Sequence, residues 1–306
     1  MTKIITHHDA DGLISAYFTS YGVKSPKIII ADRFGDTDEW EEGSYMTDMR
    51  PIDPSIKGYV IDHHPGHPPL TEREYSLIWD NKPASILAWD KFKDEIPEGE
   101  WWKVMIGAAG DGQPEKVPFE VWESCPELMQ QHKTFIKYSY GEWKTSFRPA
   151  YQLLSSGINA FARYGEFDAA LRFIKKAKTP RDIIDNAEIN KQKSKLSNTT
   201  SGDFAKVMQD ARIYPMSNLT LCIFNSPHIR LSGYVASVLA SSKENVCVLA
   251  VNEVDGSLSL RGDTANYLRG VINKLDYINI DGHDGFCGGR VDKHPDILYN
   301  DLMEIL

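Results

Sequence analysis

Two short stretches hold most of the chemistry this chain could perform: Thr6-His7-His8-Asp9-Ala10-Asp11-Gly12 and Ile61-Asp62-His63-His64-Pro65-Gly66. Together they put three acids and four histidines into thirteen residues. Two carboxylates about 4 Å apart repel by about 4 kcal/mol at an effective dielectric of about 20. Positive charge must therefore sit among them, and Asp with His on a rigid scaffold is a ligand set for divalent transition metals. The reading is a metal site. Asp48 follows another short apolar run, and Asp111 lies between Gly110 and Gly112. Taken alone, Asp111 is a turn former; beside three acidic strand ends that need one more ligand, it joins the set.

The elements that must position these residues are legible around them. Residues 2–6 read as a strand, and Gly12 lets the backbone turn into a helix from Leu13 to Tyr21. Lys27 to Ala31 is a second strand, followed by an acidic loop from Asp32 to Gly43 that reads as solvated surface. Ser44 to Thr47 and Gly58 to Ile61 are further strands, separated by Pro51 and Pro54. Strands at this spacing, alternating with helical patterns, predict an α/β fold with a doubly wound, mainly parallel sheet. Such sheets bind ligands beyond the carboxyl ends of their strands, so both clusters should reach one crevice. Pro83 opens a helix, where its missing N–H costs nothing, and Trp101 to Ala109 is a second apolar helix that Gly110 ends.

From Pro114 to Ala187 the pattern reads as helical and aromatic. Tyr138, Tyr140, Trp143 and Phe147 interleave with Lys137, Lys144 and Arg148. Such a stretch could stack bases and hold phosphates, but the preferred reading is a helix packing its aromatic side on the core. A basic run and Ser197-Asn-Thr-Thr-Ser-Gly202 read as a linker. The expected organisation is a metal-binding domain over 1–195, a linker over 196–214 and a smaller α/β domain over 215–306. In the latter, Leu219 to Phe224 and Val246 to Val251 are strands, and Asp255-Gly256 marks a hairpin leading to Ser257–Arg261. Gly233 to Ser241 and Asn266 to Leu275 are helices. Asp281-Gly282-His283-Asp284-Gly285-Phe286-Cys287-Gly288-Gly289 reads as a glycine-rich loop whose N–H groups could approach a phosphate.

The net charge of -9 argues against coating long nucleic acid through a basic surface. Short anionic substrates stay open, because metal ions can supply the missing positive charge. Four scattered cysteines, with no Cys-x-x-Cys, read as reduced thiols. The N-terminus runs directly into a strand, and no apolar run reaches the eighteen or so residues of a membrane span. A cytoplasmic protein is expected.

These residues resemble the DHH phosphoesterases. His7-x-Asp9-x-Asp11-Gly12, Asp48 after a strand, Asp62-His63-His64 and Asp111 look like the family's four ordered motifs. Ser259-Leu260-Arg261 and Gly282-His283-(x)2-Phe286-Cys287-Gly288-Gly289 look like its small substrate-binding domain, with Asp281 in place of the usual first glycine. Residues 114–215 add nothing to the likeness. The resemblance implies two divalent cations, manganese foremost, with magnesium or cobalt as alternatives. His7 and Asp9 would hold one, Asp11, His63 and Asp111 the other, and Asp48 would bridge them. Asp62 would orient the histidine pair, and His64 would stabilise developing charge or move a proton. Arg261, His283, Gly282, Gly288 and Gly289 would bind the substrate in an interdomain cleft.

Within that family, the acidic charge and the compact chain point to the short-oligonucleotide phosphodiesterases of the RecJ-like and nanoRNase type. The expected activity is hydrolysis of short single-stranded oligonucleotides or linear dinucleotides to mononucleotides. Alternatives are an exopolyphosphatase, pyrophosphatase or nucleotide phosphatase, a cyclic-dinucleotide phosphodiesterase, and a non-catalytic nucleotide-binding relative. The expected partner is the phosphoester or phosphoanhydride substrate, with no membrane and with a homodimer left open.

Overall fold

A computed structural model describes the chain apart from residues 32–36, 138–142, 227–230, 242–246 and 284. The side chains of 134–137, 143–146, 196–205, 241, 281, 283 and 286 are likewise outside the description. The chain divides into two units, Met1–Leu196 and Ser197–Leu306.

The first unit is built on β1 (Thr2–Thr6), β2 (Pro26–Ile30), β3 (Ser44–Thr47), β4 (Gly58–Asp62) and β5 (Ser76–Trp79). Their order is β2-β1-β3-β4-β5, and every pairing is parallel, as expected. The winding reverses between β1 and β3, the switch point at which open α/β sheets hold ligands. His7 leaves β1 and Asp48 leaves β3, so strand order alone brings the two together. Side chains alternate across the sheet. Ile28, Ile30, Tyr45, Ile61 and Ile78 pack toward the helices, while Ile5, Ile29, Met46, Val60 and Leu77 point the other way. The helical side carries α1 (Ala10–Thr19), α2 (Ala84–Phe92) and α3 (Val104–Gly110). The opposite face is covered by connecting segments through Trp40, Met49, Ile56 and Tyr75. Leu13, Ile14 and Phe18 of α1 are fully buried, each contributing about 1.5–3 kcal/mol from apolar area removed from water.

Helix α1 starts earlier than the expected Leu13. Asp9 caps it by accepting from the Gly12 N–H at 3.0 Å, which satisfies an otherwise unpaired first-turn donor. Gly12 is inside the first turn because a Cβ there would lie 2.4 Å from the His7 carbonyl oxygen. Its role is close approach, not the turn itself.

After α4 (Phe119–Ser124), the aromatic stretch is not helical. β6 (Gln131–Lys137) and β7 (Trp143–Pro149) form an antiparallel hairpin. Thr134, Phe135, Ile136, Thr145 and Phe147 are β-branched or aromatic and suit a pleated surface. Phe147 is 65% exposed, so the expected packing of this side on the core is overturned for that residue. Tyr138 and Tyr140, and the side chains of Trp143 and Lys144, lie outside the described residues. Helices α5 (Ala150–Arg163), α6 (Phe167–Lys176) and α7 (Arg181–Ile184) complete the helical layer. The segment read as a linker is helical: α8 (Ala187–Asp210) runs through it, and β8 (Arg212–Pro215) follows. One glycine in a helix costs only about 1 kcal/mol relative to alanine. Burial of Ile189 and Val207 on either side of Gly202 offsets it.

The second unit adds β9 (Leu219–Phe224), α9 (Ser232–Ser241), β10 (Cys247–Asn252), β11 (Ser257–Arg261), α10 (Ala265–Ile272), β12 (Ile278–His283), β13 (Phe286–Val291) and α11 (Pro295–Ile305). Its mixed sheet has the order β12-β13-β11-β10-β9-β8. One face, through Leu221, Leu249 and Leu260, packs with α10 and α11; α9 packs against β10 and β11. The expected glycine-rich loop is instead the β12–β13 hairpin, with Gly282↔Cys287, Asp281↔Gly288 and Ile280↔Gly289 in register. Glycine serves pairing here, since a Cβ on Gly289 would lie 1.9 Å from the Asn279 carbonyl oxygen. The four cysteines form no disulfide. Among the described residues, no helix is long and apolar enough to cross a membrane.

Candidate metal centre

The ends of β1, β3 and β4 and the starts of α1 and α2 converge on one cluster. Buried threonines fix the first two strand ends. Thr6 Oγ1 donates to the Gly12 carbonyl at 2.6 Å, and Thr47 Oγ1 donates to Thr6 Oγ1 at 2.8 Å. Asp48 then adopts φ +57°, a left-handed conformation uncommon outside glycine. Its N–H is held by the Ile61 carbonyl at 2.9 Å. Non-glycine residues in this region persist only where the surroundings impose them, often at functional sites.

The result is a carboxylate shared by two histidines. Asp48 Oδ2 lies 3.3 Å from His7 Nδ1, and Asp48 Oδ1 lies 3.2 Å from His63 Nε2. Asp9 Oδ2 is 3.1 Å from His7 Nδ1. On the other side, His63 Nε2 is 3.2 Å from Asp111 Oδ2 and 4.0 Å from Asp11 Oδ2. Among the described residues, three groups therefore bring one ligand atom per residue within 4.8 Å of one another: His7, Asp9 and Asp48; Asp11, His63 and Asp111; and Asp48, His63 and His64.

Asp11 is held at the N-terminus of α2. Its carboxylate accepts from the Ala84 N–H at 2.6 Å, the Ser85 N–H at 3.1 Å and the Ser85 hydroxyl. A helix start favours an anion there through its unpaired N–H groups and dipole. Gly107 permits the approach, since a Cβ would lie 2.7 Å from Asp11 Oδ1. Asp111 caps the C-terminal end of α3.

Asp62 is fully buried and organises a second layer. Its Oδ1 accepts from the His63 N–H at 2.9 Å and from His64 Nδ1 at 2.7 Å, and its Oδ2 accepts from His67 Nε2 at 2.8 Å. His67 Nδ1 in turn meets the Tyr75 hydroxyl at 2.9 Å. Arg50 Nη1 donates to the Pro65 carbonyl at 3.0 Å and pins the loop between His64 and His67.

The electrostatics describe a site that favours cations. Burial, then the charge of Asp48, pushes the Asp11 carboxyl up to about 7. Burial and the charge of Asp11 raise Asp111 well above the carboxylate range. Burial opposes protonation of His63, but Asp48 and Asp111 outweigh it and push the imidazole up to about 10. Burial likewise opposes His7, and Asp9 with Asp48 raises it well above the ordinary range. Burial would raise Asp62, yet His64 and His67 hold it well below the usual range. Among the described residues, no well-formed hydrogen bond reaches Asp48 Oδ1, Asp48 Oδ2 or Asp111 Oδ2, all buried oxygens. Crowded carboxylates with unused lone pairs beside imidazoles are a donor set that fits divalent transition metals.

The structure thus brings together His7, Asp9, Asp11, Asp48, Asp62, His63, His64 and Asp111. In the second unit, Arg261 pairs with Phe286 across β11 and β13, and Gly282, His283, Gly288 and Gly289 lie on the adjoining hairpin. The Arg261 guanidinium donates to the Cys287 carbonyl at 2.6 Å, and the His283 side chain is outside the described residues. Sequence reasoning missed His67, although the run His63-His64-Pro65-Gly66-His67 offered a signal. It also missed Tyr75, Ser85 and Asn159, whose Oδ1 accepts from the Ala10 N–H at 3.0 Å across a separation of 149 residues.

No family profile and no curated protein matches the sequence. Solved structures match in fold. RecJ from Thermus thermophilus in complex with Mn2+ has 16% identity and a TM-score of 0.64, over 99% of this chain and 51% of that one. This chain thus spans about half of that protein. An exonuclease RecJ bound to manganese has 15% identity and a TM-score of 0.60, over 99% and 88% of the two chains. The pGpG-specific phosphodiesterase PggH from Vibrio cholerae has 12% identity and a TM-score of 0.51, over 99% and 98%. The likeness is one of fold, over nearly the whole of this chain, whose parallel five-stranded unit is followed by a mixed-sheet unit.

Proposed function

We propose that this chain is a two-metal phosphodiesterase that hydrolyses short single-stranded oligonucleotides or linear dinucleotides to mononucleotides. The observation that carries the proposal is Asp48, set between His7 and His63 with one oxygen toward each. His7 and Asp9 would hold one cation, Asp11, His63 and Asp111 the other, and Asp48 would touch both; manganese is the first choice, magnesium or cobalt the alternatives. Such a pair, when bound, supplies Lewis acidity toward a phosphoryl oxygen and lowers the pKa of a coordinated water.

The chain's own groups supply the rest. Asp62 engages His64 at Nδ1, and the imidazole shares a ligand group with Asp48 and His63, where it would meet a phosphoryl oxygen or carry a proton. Buried, hydrogen-bonded Asp62 fixes the tautomer and the ring plane, as the outer partners of metal-site histidines do. Arg261 and His283, with the backbone of Gly282, Gly288 and Gly289, are the proposed phosphate-binding set. An Arg fork suits a non-bridging phosphate pair.

The short-substrate reading rests on the net charge of -9, which offers no basic track for a long strand. The end-to-end fold match to a pGpG-specific phosphodiesterase supports it. The same metal residues would serve a phosphoanhydride, so the test must separate the classes. Manganese-dependent hydrolysis is measured on a linear dinucleotide, a five-mer, a long single strand, a cyclic dinucleotide, polyphosphate and pyrophosphate, beside Asp48→Asn. Fastest cleavage of the short linear oligomers is expected. Preference for an inorganic substrate overturns the substrate class, and full activity in Asp48→Asn overturns the site.

A further inference from the structure

We infer that Trp79 is a stacking platform for a nucleobase at the metal centre, which makes the site selective for nucleotide over inorganic phosphate. The inference rests on the phosphoesterase reading above and names what that site recognises. Trp79 ends β5, the edge strand of the parallel sheet, and stands in register with Asp62 on β4. Its indole N–H donates to the His64 carbonyl at 2.9 Å. Five residues later the same segment delivers the Ala84 and Ser85 N–H groups to Asp11. The segment from Trp79 to Ser85 therefore borders the cluster from His64 to Asp11, with the indole at the His64 end.

Trp79 is 50% exposed as a residue despite its size. Among the described residues no aromatic ring or cation is stacked on it, whereas Trp89 and Trp101 each carry Lys93 over the ring. A tryptophan usually gains by burying its large apolar surface, so one left half in water beside a reactive centre keeps a face for something else. The hydrogen bond to His64 fixes the indole, and a pre-set ring loses little freedom on stacking. Bases of any identity stack on such a face. Pyrophosphate and polyphosphate have no ring to offer it.

The test is equilibrium binding to the manganese-loaded protein, measured by calorimetry with GMP and, in parallel, inorganic pyrophosphate. Wild type, Trp79→Leu and Trp79→Phe are compared. Leucine keeps apolar bulk without a π face; phenylalanine keeps the face without the N–H. GMP affinity should fall ~5- to 150-fold in Trp79→Leu and recover largely in Trp79→Phe, with pyrophosphate affinity unchanged in both. Unchanged GMP affinity in Trp79→Leu overturns the proposal. So does equal loss of GMP and pyrophosphate, which would make the ring a prop for His64. So does wild-type protein that holds GMP no better than pyrophosphate. Turnover is read separately: wild-type protein that binds GMP through Trp79 but cleaves no phosphoester or phosphoanhydride would sink the hydrolase reading and leave the platform standing.

Discussion

His67 lies against Asp62, its Nε2 2.8 Å from Oδ2, while the other oxygen of that carboxylate holds His64 at 2.7 Å. Asp62 is thus gripped from both sides, and Tyr75 fixes the far nitrogen of His67. Replacing His67 with alanine frees the Asp62 carboxylate to rotate and slackens His64. Loss of such an outer partner typically costs ~10- to 100-fold in metal affinity or activity. The expected result for His67→Ala is a fall of that size in kcat with KM little changed, and a smaller fall for Tyr75→Phe. Steady-state kinetics with a dinucleotide would check it; wild-type kcat in His67→Ala would contradict the relay.

Manganese should stabilise the fold, because the donor set exists only in the native state. At a free concentration 100 times Kd, one site adds about 2.7 kcal/mol. Thermal melts with and without Mn2+ should show a clear rise in Tm for wild type and little or none for Asp48→Asn.

Gly12→Ala should be disruptive although it adds a single methyl. The new Cβ would lie 2.4 Å from the His7 carbonyl oxygen, which is backbone and cannot swing aside. Overpacking of this kind costs about 1–3 kcal/mol. Here it would also push His7 away from Asp48. Urea denaturation and manganese binding should both register the change.

A polar network away from the cluster sets an acid limit. Lys103 is fully buried and donates to Glu100, which also accepts from Tyr17 at 2.7 Å and lies 3.3 Å from Lys178. Burial would raise the Glu100 carboxyl, but Lys103 and Tyr17 hold it below the ordinary carboxylate range. A depressed folded-state pKa contributes stability above the unfolded value and loses it as pH falls through the folded value. The loss should begin below about pH 5, where unfolded glutamate starts to bind protons. Glu100→Gln leaves a buried ammonium without its counter-charge, a change worth about 3–5 kcal/mol. Denaturation at pH 7 should show that deficit, and the gap to wild type should narrow as pH falls. A pH-independent gap would assign the loss to packing instead.

Much of the site was legible because its signals are local. A strand end is marked by apolar alternation and the residue types just beyond it. His7, Asp9, Asp11, Asp48, Asp62 and His63 therefore declared themselves without any knowledge of strand order. Four of the five parallel strands followed from the same periodicity; β5 (Ser76–Trp79), a four-residue edge strand, was missed. Where the reading failed, local signals were ambiguous. Short aromatic runs suit a helix or a strand, and β6 and β7 became strands because they pair with each other. The residues Gly282 to Gly289 read as a loop because glycines usually mark one, yet most of them lie in paired strands.

What the sequence by itself determined was a set of Asp and His residues on the strand ends of an α/β chain. The tertiary structure decided which residues meet: Asp111 reaches His63, His67 reaches Asp62, Asn159 reaches Ala10 and Trp79 reaches His64. Residue type and periodicity are properties of a few consecutive positions. These contacts depend on sheet order and on how closely small residues such as Gly107 let helices approach, which no short stretch of sequence encodes.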